Sequence, residues 1–150
     1  MPYIQWNTSK ELGHPVVDRE HRELMELVNR LIDALFDPSA EDEEEPHWRK
    51  QQIADAVDAL GKATAAHFDS EESIMAESGF PRLAEHRAQH ESLLAQYGEF
   101  AEHFRSANDG SVALALRFLR EWFEYHIEYY DAPMTAWLRE RSAAGTGAAR

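Results

Sequence analysis

Residues 67–90 read HFDSEESIMAESGFPRLAEHRAQH. His67 and Glu71 stand four apart before a break at Gly79, Phe80 and Pro81, and His86 and His90 stand four apart after it. Residues at i and i+4 share one helix face. Each half therefore presents an edge of two potential metal ligands, and the break folds the two edges against each other.

The same period extends outward in both directions. Before the break, Ile53, Val57, Leu60, Thr64, His67, Glu71 and Ile74 recur at steps of three and four, which predicts a helix from about His47. After it come Leu83, His86, His90, Leu93, Tyr97, Phe100 and Phe104, with Gly79 as a C-terminal cap and Pro81 as the first position of the new helix. Upstream, Val17, His21, Leu24, Val28, Leu31 and Leu35 define a helix expected to begin at Asp18 as N-cap, with Pro15 barring an earlier start. Downstream of a turn at 106–110, the stripe is Val112, Leu116, Leu119, Phe123, His126, Tyr130 and Trp137. Four amphipathic helices on short connections imply an all-α, antiparallel up-down-up-down four-helix bundle. The expected organisation is a single domain of residues 1–150. An arm over 1–17 is anchored by Ile4 and Trp6, the acidic segment 37–46 is a solvated loop, and the tail is flexible from about residue 142.

Composition narrows the function. With 15 Lys and Arg against 28 Asp and Glu, the net charge of −13 repels nucleic acid and anionic membrane surfaces. There is no cysteine, so a metal must be held by nitrogen and oxygen. The opening MPYIQWNTSK has neither a basic region nor an apolar run, and no apolar stretch approaches about 18 residues, so a cytoplasmic protein without membrane insertion is expected.

Five histidines and one carboxylate thus fall on core stripes, His21, His67, Glu71, His86, His90 and His126, and Asp131 is the seventh candidate ligand. In an antiparallel bundle they lie at one end, at levels that agree within about 10 Å at a rise of about 1.5 Å per residue. Buried polar groups need partners, and buried carboxylates need pairing or a metal. His14, His47 and His103 lie off the stripes and read as bystanders. Asp131 follows His126 by five, about 140° round a regular helix. Two explanations stand: the residues reach the site from opposite flanks of the buried face, or a π-type widening beside Pro133, which cannot donate to the carbonyl of Tyr129, brings them together. Seven side chains exceed one ion, and a nitrogen-rich set without sulfur suits iron. Two octahedral ions offer roughly twelve positions, of which five imidazoles and two bridging carboxylates take roughly nine. A bridging oxygen then leaves one position for a small ligand.

The order of these groups, a His within VVDREHRELMELVNRL followed by HFxxE, HxxxH and WFxxHIxxxD, resembles the hemerythrin family from residue 3 to about 140. In length the chain looks like a stand-alone bacterial member. The resemblance implies two iron ions (Fe2+/Fe3+) with a bridging oxo or hydroxo group, and reversible binding of dioxygen. It assigns His86, His90 and His126 to one iron, His21 and His67 to the iron with the open position, and Glu71 and Asp131 as bridges. Phe68, Trp122, Phe123 and Ile127, one to four residues from ligands, are the expected apolar wall of the oxygen pocket; a dry shell keeps binding reversible. Met134 stands where family members often carry Tyr, and Pro133 precedes it, a departure that bears on the pocket lining. The expected role is transport, storage or delivery of oxygen to an oxygen-consuming recipient, not catalysis. The alternatives are a diiron oxidase or peroxidase, and a sensor of oxygen, nitric oxide or iron. A His-rich, carboxylate-poor set argues against the oxidase, whose relatives use Glu-x-x-His pairs.

Overall fold

Proline at the first helical position loses nothing, because that N–H has no intrahelical acceptor. Helix α1, Pro15–Leu35, uses this and begins three residues before the expected Asp18. His14 caps it: the ring Nδ1 accepts from the Val17 N–H at 3.4 Å, and the first backbone bond runs from Asp18 N–H to His14 O at 2.9 Å. Asp18 instead turns its carboxylate back to accept the N–H groups of Leu12 (2.8 Å) and Gly13 (3.1 Å), which ties the arm to the helix. The last residues assigned to the arm are thus the first turn of α1. The computed structural model describes residues 10–35, 47–105 and 122–148, so the Ile4 and Trp6 anchors, the acidic loop and the 106–121 segment lie outside the described residues.

Helix α2, His47–Ser78, ends in a Schellman cap. Phe80 N–H donates to Met75 O (2.9 Å) and Gly79 N–H to Ala76 O (3.4 Å), with Gly79 at φ 75°, a conformation that favours glycine. Helix α3, Leu83–Arg105, starts two residues after Pro81, which sits in the connecting turn rather than in the helix. The Phe80 carbonyl accepts the Leu83 N–H at 3.3 Å and so stabilises that turn first.

The fourth helical segment runs through 122–126, a π turn at Ile127–Asp131, and α4, Ala132–Ala148. Within the π turn the Ala132 N–H donates to Ile127 O, an i to i+5 bond. Pro133 has no N–H for the Tyr129 carbonyl, which removes the regular bond that would oppose the widening. The backbone continues as helix to Ala148.

Contacts between helices establish the antiparallel arrangement. Glu71, late in α2, meets His86 and His90, early in α3, while the Tyr97 hydroxyl, late in α3, donates to the carbonyl of Val57, early in α2. A Cβ at Gly61 would lie 2.8 Å from the Tyr97 ring, so glycine is what admits that tyrosine. His86 meets Asp131 and His90 meets His126, which runs the fourth segment against α3. The core has two parts. The larger holds Leu24, Val28, Leu31, Leu60, Phe68, Leu93 and Phe123 among others, and the smaller holds Val17, Met75, Phe80 and Met134. Each wholly buried aliphatic side chain contributes about 1.5–3 kcal/mol. Along every helix the polar level lies between these two clusters, which position it from both sides. Among the described residues no strand occurs and no helix is long and apolar enough to cross a membrane.

Candidate metal centre

All seven candidate ligands are buried, none more than 4% exposed. Their ligand atoms form two overlapping groups: Glu71, His86, His90, His126 and Asp131, and His21, His67, Glu71 and Asp131, each with its atoms within 4.8 Å of one another. The two carboxylates belong to both. Asp131 reaches three imidazoles: Oδ2 lies 2.9 Å from His21 Nε2, and Oδ1 lies 3.1 Å from His86 Nε2 and 3.0 Å from His126 Nε2. The π turn makes this reach possible, since an i to i+5 repeat stacks residues five apart, and of the two sequence explanations for Asp131 it is the one the backbone adopts.

The geometry within the cluster fits a cation better than a hydrogen-bond network. His90 Nε2 and His126 Nε2 face each other at 3.2 Å. His67 Nε2 lies 2.7 Å from Glu71 Oε1, yet the two make no hydrogen bond. Both Glu71 oxygens are likewise buried without a hydrogen-bond partner. Such groups are rare in folded proteins, and a bound cation would satisfy them. The donor set, five imidazoles and two carboxylates with no sulfur, suits a transition metal such as iron.

Electrostatics in the metal-free cluster follow from the same crowding. Burial raises Glu71 well above the usual carboxylate range, and the adjacent charge of Asp131 adds to it. Burial also disfavours the charged form of Asp131, but the imidazoles of His126, His21 and His86 overcome this and hold it well below its ordinary value. His90 is pushed down to about 2 by burial and by the neighbouring His126 and His86. Burial would lower His67 too, but Glu71 and a hydrogen bond to Glu20 lift it to about 10. Metal binding must therefore displace protons.

Aromatic rings fix several imidazoles. Phe68 stacks on His90 with centroids 3.9 Å apart and planes 4° from parallel, and Tyr130 stacks on His126 at 5.5 Å and 12°. Beside the cluster lies a small cavity lined by His21, His67, His126 and Asp131 on the polar side, and by Leu24, Phe68, Trp122, Phe123 and Ile127 on the apolar side. All four residues expected as a pocket wall line it. Leu24 was read only as core, and nothing in its spacing separates the two roles.

A family model, the hemerythrin HHE cation-binding domain, matches residues 12–138. The chain belongs to the hemerythrin family. All seven clustered residues fall inside the matched region. Among hemerythrin-family relatives, the bacteriohemerythrin of Ralstonia nicotianae is 33% identical over 144 residues, covering 94% of this chain and 93% of that protein. That of Stenotrophomonas maltophilia is 26% identical over 153 residues, covering 97% and 93%. A crystal structure of wild-type hemerythrin superposes with a TM-score of 0.70 at 24% identity, covering 89% of this chain and 96% of the other, which establishes the shared fold.

Two further hemerythrin-centre contacts were not visible in the sequence. Glu20 Oε1 lies 3.0 Å from His67 Nδ1, and the Glu72 carboxylate approaches His90 Nδ1 at 3.9 Å. Glu20 stands next to His21 and Glu72 next to Glu71, so adjacency to a ligand was the one available signal.

Proposed function

We propose that this chain binds dioxygen reversibly at a non-haem diiron site, and that it carries, stores or delivers oxygen to an oxygen-consuming recipient in the cytoplasm rather than acting as an enzyme. The observation that carries the reading is the pair of ligand groups sharing Glu71 and Asp131, with an apolar cavity opening beside His21 and His67. His86, His90 and His126 would hold one iron, His21 and His67 the other, and Glu71 and Asp131 would bridge them. A pair of irons (Fe2+/Fe3+) held there would supply the reversible electron donation that dioxygen binding requires.

The protein's own part is orientation and exclusion. Phe68 and Tyr130 hold His90 and His126 in place by stacking, so these imidazoles stay aimed at the cluster. Leu24, Phe68, Trp122, Phe123 and Ile127 give the cavity an apolar lining that excludes water, and with it the proton that would turn reversible binding into loss of peroxide. The test is an absorption spectrum of the iron-loaded protein, reduced without oxygen, exposed to air and then degassed. A visible band that appears with air and vanishes on degassing, at two irons per chain, is the expected result. A permanent oxidised spectrum with release of hydrogen peroxide overturns the reading.

A further inference from the structure

The five imidazoles are not equally supported on the side facing away from the cluster. The Nδ1 atoms of His21, His90 and His126 are buried without a hydrogen-bond partner. His67 differs: its Nδ1 lies 3.0 Å from Glu20 Oε1. Glu20 is only 18% exposed, so this contact from α1 to α2 is largely sheltered from water. His90 has a carboxylate nearby, but at 3.9 Å it is beyond hydrogen-bond range, and Arg87 Nε holds that Glu72 at 2.9 Å.

We infer that Glu20 is the positioning residue of the His21/His67 half of the centre: by accepting the Nδ1–H of His67 it fixes the ring and leaves Nε2 as the metal-facing nitrogen. The inference rests on the diiron reading above. An outer hydrogen bond to a ligating imidazole sets both its tautomer and its donor strength. Its effect is greatest where ligands are fewest. That half has two imidazoles, whereas the other has three. Glu20 also precedes His21, so any shift of α1 that withdraws the carboxylate displaces a ligand at the same time.

The experiment titrates Zn2+ into the metal-free protein by calorimetry, for wild type and for Glu20→Ala, Glu20→Gln and Glu72→Ala, with circular dichroism as the folding check. Proton NMR of the metal-free forms follows the His67 Nδ1–H. Wild type is expected to take up two ions and to show a slowly exchanging His67 Nδ1–H. Glu20→Ala should weaken one ion by about ten- to hundred-fold while sparing the other, and should lose that proton signal. Glu20→Gln should rescue both, because its amide oxygen accepts the same bond, and Glu72→Ala should bind both ions as wild type does. Equal affinities in Glu20→Ala, or equal weakening of both ions in all three variants, overturns the inference. Wild type taking up fewer than two ions overturns the diiron reading instead. In that case the NMR signal still decides for Glu20: a proton that persists in Glu20→Ala overturns its role, and one that vanishes only there supports it.

Discussion

The two halves of the centre share their carboxylates and little else. Around His86, His90 and His126 aromatic rings supply the support, with Phe68 flat against His90, Tyr130 flat against His126, and the ring of Phe80 edge-on to His86 at 6.5 Å. Around His21 and His67 there is one imidazole fewer, a hydrogen bond from His67 Nδ1–H to the Glu20 carboxylate behind it, and a cavity with an apolar side in front. The lesson is a division of labour: the imidazoles of one half are held by aromatic rings, and in the other half His67 is held by a polar contact. A dry lining is what a small apolar gas needs.

The strongest way to break the comparison is to remove a residue common to both halves. Asp131→Ala should lose both ions and leave three buried imidazoles without their acceptor, a destabilisation of about 3–5 kcal/mol, measured by iron content and denaturant unfolding. Phe68→Ala tests the border between the halves, because this ring both stacks on His90 and lines the cavity. It should retain iron but lose about 3 kcal/mol of stability, and its oxygen-dependent absorption band should decay to the oxidised form faster than in wild type.

The smallest effect near neutrality is the pH dependence of the metal-free protein, where the halves pull in opposite directions. His90, pushed down to about 2 from an ordinary 6.5, contributes stability present above pH 6.5 and progressively lost as pH falls toward 2, because the unfolded chain takes up the proton first. His67, lifted to about 10, contributes stability present below pH 6.5 and lost as pH rises toward 10. Denaturant midpoints of the metal-free chain should therefore fall on both sides of about pH 6.5. Loading with metal, which replaces the proton on His67, should flatten the alkaline limb.

The site was legible because its ligands obey helical spacing. His67 with Glu71 and His86 with His90 announce one face each by local geometry alone, and a single glycine-proline break orders them in space. Asp131 was harder: five residues from His126 is the wrong angle in a regular helix, and only the neighbouring Pro133 hinted at the π turn that corrects it. The expected start at Asp18 failed because the sequence was read for an N-cap type, whereas the caps are shared by His14, Pro15 and the returning Asp18 carboxylate.

By itself, then, the sequence determined the four helices, their antiparallel order and the seven inward polar residues, since each of these depends on separations along one chain of known rise and twist. The tertiary structure decided the rest: that Glu20 meets a histidine 47 positions away, that Arg87 holds Glu72 short of His90, and that Leu24, packed in the core, also lines a cavity. Those facts depend on how far apart and at what rotation the helices pack. Interdigitating side chains set that distance and rotation collectively, and no single stretch of sequence encodes them.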